Sequence, residues 1–198
     1  MRKGIVAADV AAAYGIEDMS GCIILGGMPY RSMHPHVAHP VIMSLIPGLL
    51  SENIAEFSVA VQGFAASCVS ESFEIPEEDR LAWIGGVALQ VSHVFTRTKW
   101  LRMEKSADYK KNPLVRQHSI ARTQDEGALL AAKGTFPFLV IHGVEDRHMY
   151  VDKLEAFMKG NFGNVEFHRV EGVGHAPFYE VPEFVNRTVL DFVKKQVG

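Results

Sequence analysis

The sequence of 198 residues is long enough for one globular domain, and its 47% hydrophobic and 10% aromatic content can fill a buried core. A formal net charge of −3 provides no cationic surface for phosphate backbones or anionic lipid, so we expect no nucleic-acid partner and no membrane partner. Cys22 and Cys68 lack the CxxC spacing of a metal or redox site. We therefore expect a cytoplasmic protein without a metal or cofactor, whose partner is a small apolar or neutral substrate.

The first two predicted elements are a helix and a strand. Residues 5–15 (IVAADVAAAYG) are rich in alanine and end at Gly15, which predicts a helix that packs closely on a sheet and is closed by glycine. The basic residues before this stretch loosely imitate a signal peptide, but Asp9 in its middle favours a helix. Residues 21–27 (GCIILGG) form a short apolar run between glycines, which predicts a strand buried on both faces.

Residues 28–135 break the pattern of alternating strands and helices. Candidate helices are separated by prolines and cover 38–50, 52–69, 77–91 and 124–133. A region this long cannot be a bare loop in a compact domain, so we predict a helical cap or lid inserted at one end of the sheet. Within it, residues 91–112 are basic and lack helical periodicity, and one hypothesis is an insertion that close relatives lack, such as translated non-coding sequence.

The C-terminal part returns to the alternation. Residues 137–143 (PFLVIHG) predict a second buried strand, and 165–170 (VEFHRV) predict a third strand nearer an edge. Helices are predicted at 150–160 and 181–197. Strand, helix, strand and helix in this order predict parallel strands with right-handed crossovers, hence an α/β fold. The predicted core comprises residues 1–27 and 136–198.

Two residues with chemical potential follow two of these strands. Asp146 (LVIHGVEDRHM) follows the second strand and His175 (EGVGHAPFYEVPE) follows the third. The carboxyl ends of parallel strands meet at one edge of the sheet, so we expect both residues on the same rim. By position alone, Asp146 is better explained as a helix cap and His175 as an ordinary loop residue. The occurrence of both patterns in the right order favours a functional pair.

The motifs HG-x-x-D-R and G-x-G-H-x-P-F-x-E-x-P-E-x-x-N resemble the acid and histidine motifs of the α/β-hydrolase superfamily, in its branch of small esterases, C–C hydrolases and cofactor-free haloperoxidase-like proteins. The resemblance implies a partial α/β-hydrolase fold, with three parallel strands, flanking helices and a large helical cap. It also implies that Asp146 orients His175, which acts as general base toward a serine and then as general acid. Gly172 and Gly174 would let the backbone turn tightly before the histidine.

The nucleophile of that family is missing from the sequence. Its G-x-S-x-G motif does not occur in the chain, and the helix at 5–15 resembles the one that follows the motif, which places the nucleophile at or near Met1. Cys22 begins a strand, at the wrong end for the rim, and Cys68 lies in the predicted cap. Ser32 follows the first strand but lacks a strained turn to expose it. The predicted catalytic triad is therefore incomplete.

Two readings of function remain open. The first is a serine-type hydrolase of a small ester, amide or related bond, whose nucleophile comes from sequence outside these residues. The second is a truncated, inactive fragment or pseudoenzyme that only binds a small molecule or a partner. Whether the chain alone is an enzyme is left undecided by the sequence.

Further features carry weaker expectations. His34, His36 and His39 lack the spacing of a metal motif, and Pro35 should break the helix that would align them. A strand at 21–27 without an inner neighbour would expose an apolar edge and favour self-association. One group of apolar residues fits either a substrate pocket or the packing of a lid: Met28, Tyr30, Phe57, Phe64 and Trp83.

Overall fold

The structure is a computed structural model that describes residues 5–51, 53–92, 124–132 and 134–197. The hypothesis about residues 91–112 therefore falls almost entirely outside the described residues. The chain forms two compact units. The first comprises Met1–Met43, Ser67–Glu74 and Gln124–Gly198, and the second comprises Ser44–Ala66 and Ile75–Thr123. The boundaries predicted at residues 28 and 135 stay a prediction.

The first unit is built on a sheet of three parallel strands, β1 (Cys22–Leu25), β2 (Phe138–Gly143) and β3 (Val165–Val170), in that order across the sheet. Phe138 of β2 lies opposite Cys22 on one side and Val165 on the other. The predicted α/β fold with parallel strands is confirmed, and β3 lies at an edge as expected. Within the described residues, β1 forms the other edge.

Helices flank this sheet. Ile5–Tyr14 forms α1 and, as predicted, ends at Gly15, whose φ of 89° is left-handed and whose amide donates to the carbonyl of Ala11 at 3.0 Å. A short 3₁₀ turn at Arg31–Met33 leads into α2. The other helices of the first unit are α2 (His34–Val37), α6 (Gly127–Ala131), α7 (Val151–Asn161), α8 (Pro177–Glu180) and α9 (Pro182–Val197).

Three of the described helices in the predicted cap region have most of their residues in the second unit, namely α3 (Pro40–Leu50), α4 (Ile54–Ser67) and α5 (Glu77–Ser92). Within the second unit, α3 and α4 approach closely through glycines. A Cβ on Gly48 would lie 2.7 Å from the Cβ of Ala60, and one on Gly63 would lie 2.9 Å from a methyl of Leu45. Among the described residues, none of the helices combines the length and apolar character needed to cross a bilayer.

Burial of the strands differs from the prediction at β1. Strand β2 is buried along its whole length, whereas in β1 only Cys22 and Ile24 are buried and Ile23 and Leu25 are half-buried. The prediction that β1 is buried on both faces was therefore wrong. The reason is its edge position: Ile23 and Leu25 sit at the margin of the smaller apolar cluster, whose buried members are Leu139, Ile141, Val185 and Phe192.

The larger apolar cluster covers the other face of the sheet. Among the α1 residues whose side chains the structure describes, the buried members of this cluster are Ala7, Ala8 and Ala11, in keeping with the small residues of this helix. Alanine loses no side-chain entropy on folding and lets a helix approach a sheet closely. Other fully buried members are Ile24, Val37, Leu129, Phe138, Val140, Leu154 and Met158. Packing on both faces fixes the strands and therefore the loops at their carboxyl ends.

Candidate active site

Asp146 and His175 meet at the carboxyl end of the sheet. Asp146 lies in the loop after β2, and His175 lies in the loop between β3 and α8. The Nδ1 of His175 donates to the Oδ2 of Asp146 at 2.8 Å, and each residue is only 5% exposed. The structure thus brings together the two residues that the sequence singled out, across a separation of 29 positions.

Backbone contacts hold the two loops against each other. The amide of Val144 donates to the carbonyl of Val170 at 3.0 Å, and the amide of Glu145 donates to the carbonyl of Val173 at 2.9 Å. These bonds extend the pairing of β2 and β3 into both loops. The position of Asp146 relative to His175 is therefore set by the sheet itself.

Asp146 does not cap a long helix. Its Oδ1 accepts from the backbone amides of His148 at 2.5 Å and Met149 at 3.1 Å, which closes a tight turn inside the loop. The N-cap residue of α7 is Tyr150, and its side chain makes no capping hydrogen bond. The capping role that position alone favours is thus replaced by a turn that aims the other carboxylate oxygen at His175.

His142 supplies another imidazole near the same carboxylate, in addition to that of His175. Its side chain is fully buried, and its Nε2 lies 2.6 Å from the Oδ2 of Asp146. The distance is that of a hydrogen bond but the angle is not, and neither ring nitrogen of His142 has a well-directed partner among the described residues. His142 therefore contributes a short electrostatic contact on the strand side of Asp146.

These contacts decide the charge of Asp146. Burial is the largest single influence and would raise its pKa, but the charge and hydrogen bond of His175, together with the short contact to His142, outweigh burial and hold the pKa well below its usual range. The carboxylate is therefore ionised at neutral pH and can only accept hydrogen bonds. Its Oδ2 therefore acts as the acceptor in the hydrogen bond to the Nδ1 of His175.

Two glycines at the strand ends make room for the His175 loop. A Cβ on Gly26, at the end of β1, would overlap the carbonyl oxygen of His175, and one on Gly143, at the end of β2, would overlap the carbonyls of Val173 and Gly174. Any side chain at either position would push the loop away from the sheet. These glycines are needed for close approach as well as for backbone freedom.

Of the two glycines predicted to shape the turn, Gly172 does so through its left-handed φ of 71°. Gly174 acts differently. A Cβ there would lie 2.5 Å from the backbone nitrogen of Ser70 and would also overlap Val69, so the glycine lets the loop pack against a distant part of the chain. That part is residues 67–74, which we call the covering segment.

The covering segment is tied to the site by polar contacts. The Oε1 of Glu180 accepts from the amide of Gly174 at 2.8 Å, and its Oε2 accepts from the amide of Ser70 at 3.0 Å. The Nη2 of Arg147 donates to the carbonyl of Val69 at 3.1 Å. The covering segment is thereby fixed to both loops, the one that carries Asp146 and the one that carries His175.

A second imidazole and a serine adjoin His175. The ring of His148 packs against the ring of His175 with a centroid distance of 4.1 Å and a tilt of 37°. The Nε2 of His148 is 2.7 Å from the Oγ of Ser67, and both residues are buried. Burial first, and then the charge of His175, lowers the pKa of His148 to about 3, so this ring is neutral at physiological pH.

Sequence reasoning did not identify Ser67 or Glu180 and treated His148 only as a neighbour of Asp146. Ser67 lies 81 positions from His148 and Glu180 lies 110 positions from Ser70. No local sequence pattern predicts contacts between residues so far apart in the chain. The available signal was that Glu180 is the glutamate of the H-x-P-F-x-E motif, which also contains His175.

The other candidate nucleophiles are placed less favourably. The hydroxyl of Ser32 donates to the Oε2 of Glu126 at 2.7 Å and is exposed. Cys22 begins β1, at the end of the sheet opposite to Asp146, and Cys68 belongs to the covering segment, which is part of the first unit. Burial raises the pKa of each thiol to about 12, which suppresses the reactive thiolate.

The three histidines at 34–39 do not form a metal centre. Pro35 was expected to break a helix here, but it occupies the first turn of α2, where proline is tolerated. His39 packs against the ring of Tyr150 at a centroid distance of 4.7 Å. In the part of the chain that the structure describes, no group of three side chains of the metal-binding types converges on one point.

Two of the apolar residues considered for a pocket belong to the core. Tyr30 is 4% exposed, and its ring meets the edge of Phe157 at 5.7 Å. Met28 packs against the same apolar cluster. Phe57, Phe64 and Trp83 belong to the second unit. The apolar character of Tyr30 and Met28 is therefore explained by packing, with no need for a ligand.

Comparison with known proteins identifies the fold. No protein-family profile matches the sequence, and no curated protein resembles it at a significant level. Solved structures do match. A Burkholderia cenocepacia protein assigned as an aryl esterase superposes with a TM-score of 0.72 at 20% identity, over 98% of this chain and 61% of that one. The Rhodococcus esterase RhEst1 superposes with a TM-score of 0.66 at 22% identity, over 96% of this chain and 62% of that one.

A third neighbour is the bromoperoxidase of Bacillus anthracis, with a TM-score of 0.62 at 15% identity, over 94% of this chain and 62% of that one. At these identities the likeness establishes the fold alone. The chain spans about three fifths of the length of these neighbours. It therefore has part of the α/β-hydrolase fold, as the motifs around Asp146 and His175 predicted.

Proposed function

We propose that Asp146 and His175 are the acid and the histidine of a Ser-His-Asp mechanism that hydrolyses a small ester, amide or related bond. The observation that carries this proposal is the buried 2.8 Å hydrogen bond between them at the carboxyl edge of an α/β-hydrolase sheet. The esterases among the structural neighbours support the choice of reaction.

In this mechanism the neutral ring of His175 uses its Nε2 to take the hydroxyl proton of a serine as the serine attacks the carbonyl carbon. The ring is then a cation, and the ionised Asp146 stabilises it through the bond to Nδ1. His175 next gives the proton to the leaving group. Water hydrolyses the acyl-serine by the same two proton transfers, which restores both residues.

The serine is the missing part. The 198 residues contain no G-x-S-x-G motif, and Ser32 is held by Glu126. We propose that the nucleophile comes from sequence outside these residues, in a longer form of the chain. The neighbours are longer than this chain by a margin that leaves room for such a segment.

The substrate is proposed to be small and apolar or neutral, in keeping with the formal net charge of −3, which does not favour polyanions. A cytoplasmic location and the absence of a cofactor remain part of the same proposal.

The alternative is an inactive fragment or pseudoenzyme that binds a small molecule or a partner without turning it over. The lack of the serine motif favours it. It differs from the first proposal in one measurable respect, which is that no form of the chain should carry an activated serine.

A fluorophosphonate probe, which labels activated serines, separates the two proposals. The 198-residue chain and a longer form that includes the upstream reading frame are labelled in parallel, each with and without His175→Ala. Hydrolase function predicts labelling of the longer form at a serine of the upstream reading frame near Met1, and loss of that labelling in His175→Ala. If the longer form is not labelled, the hydrolase proposal is refuted and the result supports the inactive alternative.

Self-association is a separate proposal. In the described sheet β1 is an edge strand, and its half-buried Ile23 and Leu25 make that edge apolar. We expect the 198-residue chain to be oligomeric or poorly soluble. Light scattering that gives a sharp monomeric peak, with cooperative unfolding, would contradict this expectation.

A further inference from the structure

Ser67 and His148 form a contact that the mechanism above does not use. The Oγ of Ser67 lies 2.7 Å from the Nε2 of His148, and the two residues are 2% and 4% exposed. The same imidazole lies against His175, ring on ring, at 4.1 Å. Ser67 contacts His148, and His148 in turn contacts His175, so the three buried side chains form a row.

One reading would make Ser67 a substitute nucleophile with His148 as its base. The environment of His148 argues against it. His175, Arg147 and His39 each disfavour a positive charge on this ring, and the nearby Asp146 does not offset burial, which leaves its pKa at about 3. A ring that resists protonation to this degree is a poor acceptor for a serine proton.

The row instead suits a supporting role. His175 has Asp146 at its Nδ1 edge, and one face of its ring is covered by His148. The neutral ring of His148, held in place by the hydroxyl of Ser67, can cover that face. It does not compete for the proton that His175 must carry.

We propose that Ser67 and His148 are an uncharged positioning pair, which holds the plane of the His175 imidazole against Asp146 and keeps water from that face. The role assigned to the pair rests on the proposed function, because it matters for catalysis only if His175 is the base. The geometry itself can be tested without turnover.

The neutrality of His148 is part of the inference. A charged His148 would face a charged His175 across the ring contact and would also lie beside the guanidinium of Arg147. The Oδ2 of Asp146 already contacts the rings of His175 and His142, so this carboxylate has little capacity to stabilise a positive charge on His148 as well. The pair therefore supports a cationic His175 only while His148 itself stays uncharged.

The test measures the reactivity of His175 toward diethyl pyrocarbonate in the 198-residue chain, with the exposed His36 as internal reference and mass spectrometry as readout. Ser67→Ala is expected to speed modification of His175 relative to His36 about fivefold, the factor that corresponds to one hydrogen bond of average strength. His148→Phe keeps a flat ring but loses the contact to Ser67, so a similar increase is expected.

The double variant separates positioning from general loosening. If the two residues act as one unit, Ser67→Ala combined with His148→Phe gives no more than the larger single effect, whereas independent loosening gives the product of the two. Ser70→Ala is the matched control, because it also removes a hydroxyl from the covering segment. The hydroxyl of Ser70 contacts Ser72 and not His148. Circular dichroism checks that each variant is folded.

Ring-nitrogen NMR provides a second readout. Ser67→Ala should shift the Nε2 signal of His148 and broaden the Nδ1 proton of His175, and Ser70→Ala should change neither. Unchanged reactivity and spectra in folded Ser67→Ala would overturn the proposal, even if His148→Phe does not fold. Fluorophosphonate labelling of Ser67 in the wild-type chain would also overturn it, in favour of a nucleophile. A longer form without labelling would refute only the proposed function.

Discussion

Replacement of His148 by phenylalanine should make the stability of the protein less dependent on pH. In the folded state the pKa of His148 is lowered to about 3, mainly by burial, whereas an unfolded chain binds a proton at the ordinary value of 6.5. Below pH 6.5 the unfolded state therefore takes up a proton that the folded state refuses. Folding loses stability as the pH falls from 6.5 toward 3, and it gains nothing from this group above 6.5.

The size of the effect follows from the two pKa values. Between pH 7 and pH 5, the proton taken up by the unfolded state alone costs folding about 2 kcal/mol, since each pH unit below the unfolded pKa contributes about 1.4 kcal/mol. Phenylalanine has no proton to bind, so this contribution disappears in His148→Phe. The substitution also removes the contact to Ser67, but that loss is the same at both pH values.

The assay is urea unfolding of wild type and variant at pH 7 and pH 5, with the difference between the two pH values compared. His36→Phe is the matched control for replacing a histidine by phenylalanine, because His36 is exposed. If His148→Phe and the wild type lose equal stability between pH 7 and pH 5, His148 is not neutral in the fold, and the reasoning about its charge is refuted.

Four further substitutions test the loops around the site and the candidate nucleophile Ser32. Gly143→Ala should destabilise the protein by about 1–3 kcal/mol in urea unfolding, because its Cβ overlaps the carbonyl of Val173, whereas Gly160→Ala in α7 has open space and should stabilise by roughly 0.5–1 kcal/mol. Equal effects would contradict the close approach. Glu180→Gln should speed hydrogen exchange of the Gly174 or the Ser70 amide, since glutamine keeps only one of the two acceptor oxygens; unchanged exchange of both amides would show that Glu180 does not tie the two segments together. Ser32→Ala should leave fluorophosphonate labelling of the longer form intact, and loss of labelling would restore Ser32 as a candidate.

The layered fold and the acid–imidazole pair could be predicted because their signals are local. Strand β2 is a continuous apolar run, α7 and α9 have apolar residues at helical spacing, and Asp146 and His175 each directly follow a strand. Once the strands are parallel, the carboxyl-edge rule places both residues on one rim.

What escaped prediction depends on contacts between distant parts of the chain. The apolar sequence of β1 does not reveal that its Ile23 and Leu25 face only the margin of a small cluster. In the same way, Ser67 lies inside the helix predicted at 52–69, and nothing in its local sequence indicates its contact with His148. Gly174 was assigned to the turn, but its role is to admit the backbone of Val69 and Ser70, which lie far away in sequence.

The central claim is that an ionised Asp146 fixes the proton of His175 on Nδ1. Ring ¹⁵N–¹H correlation spectra of wild type and Asp146→Asn test it most directly. The account predicts a slowly exchanging proton on the Nδ1 of His175 in the wild type and its loss or weakening in Asp146→Asn. A proton on Nε2 in the wild type, with the same spectrum in the variant, would contradict it.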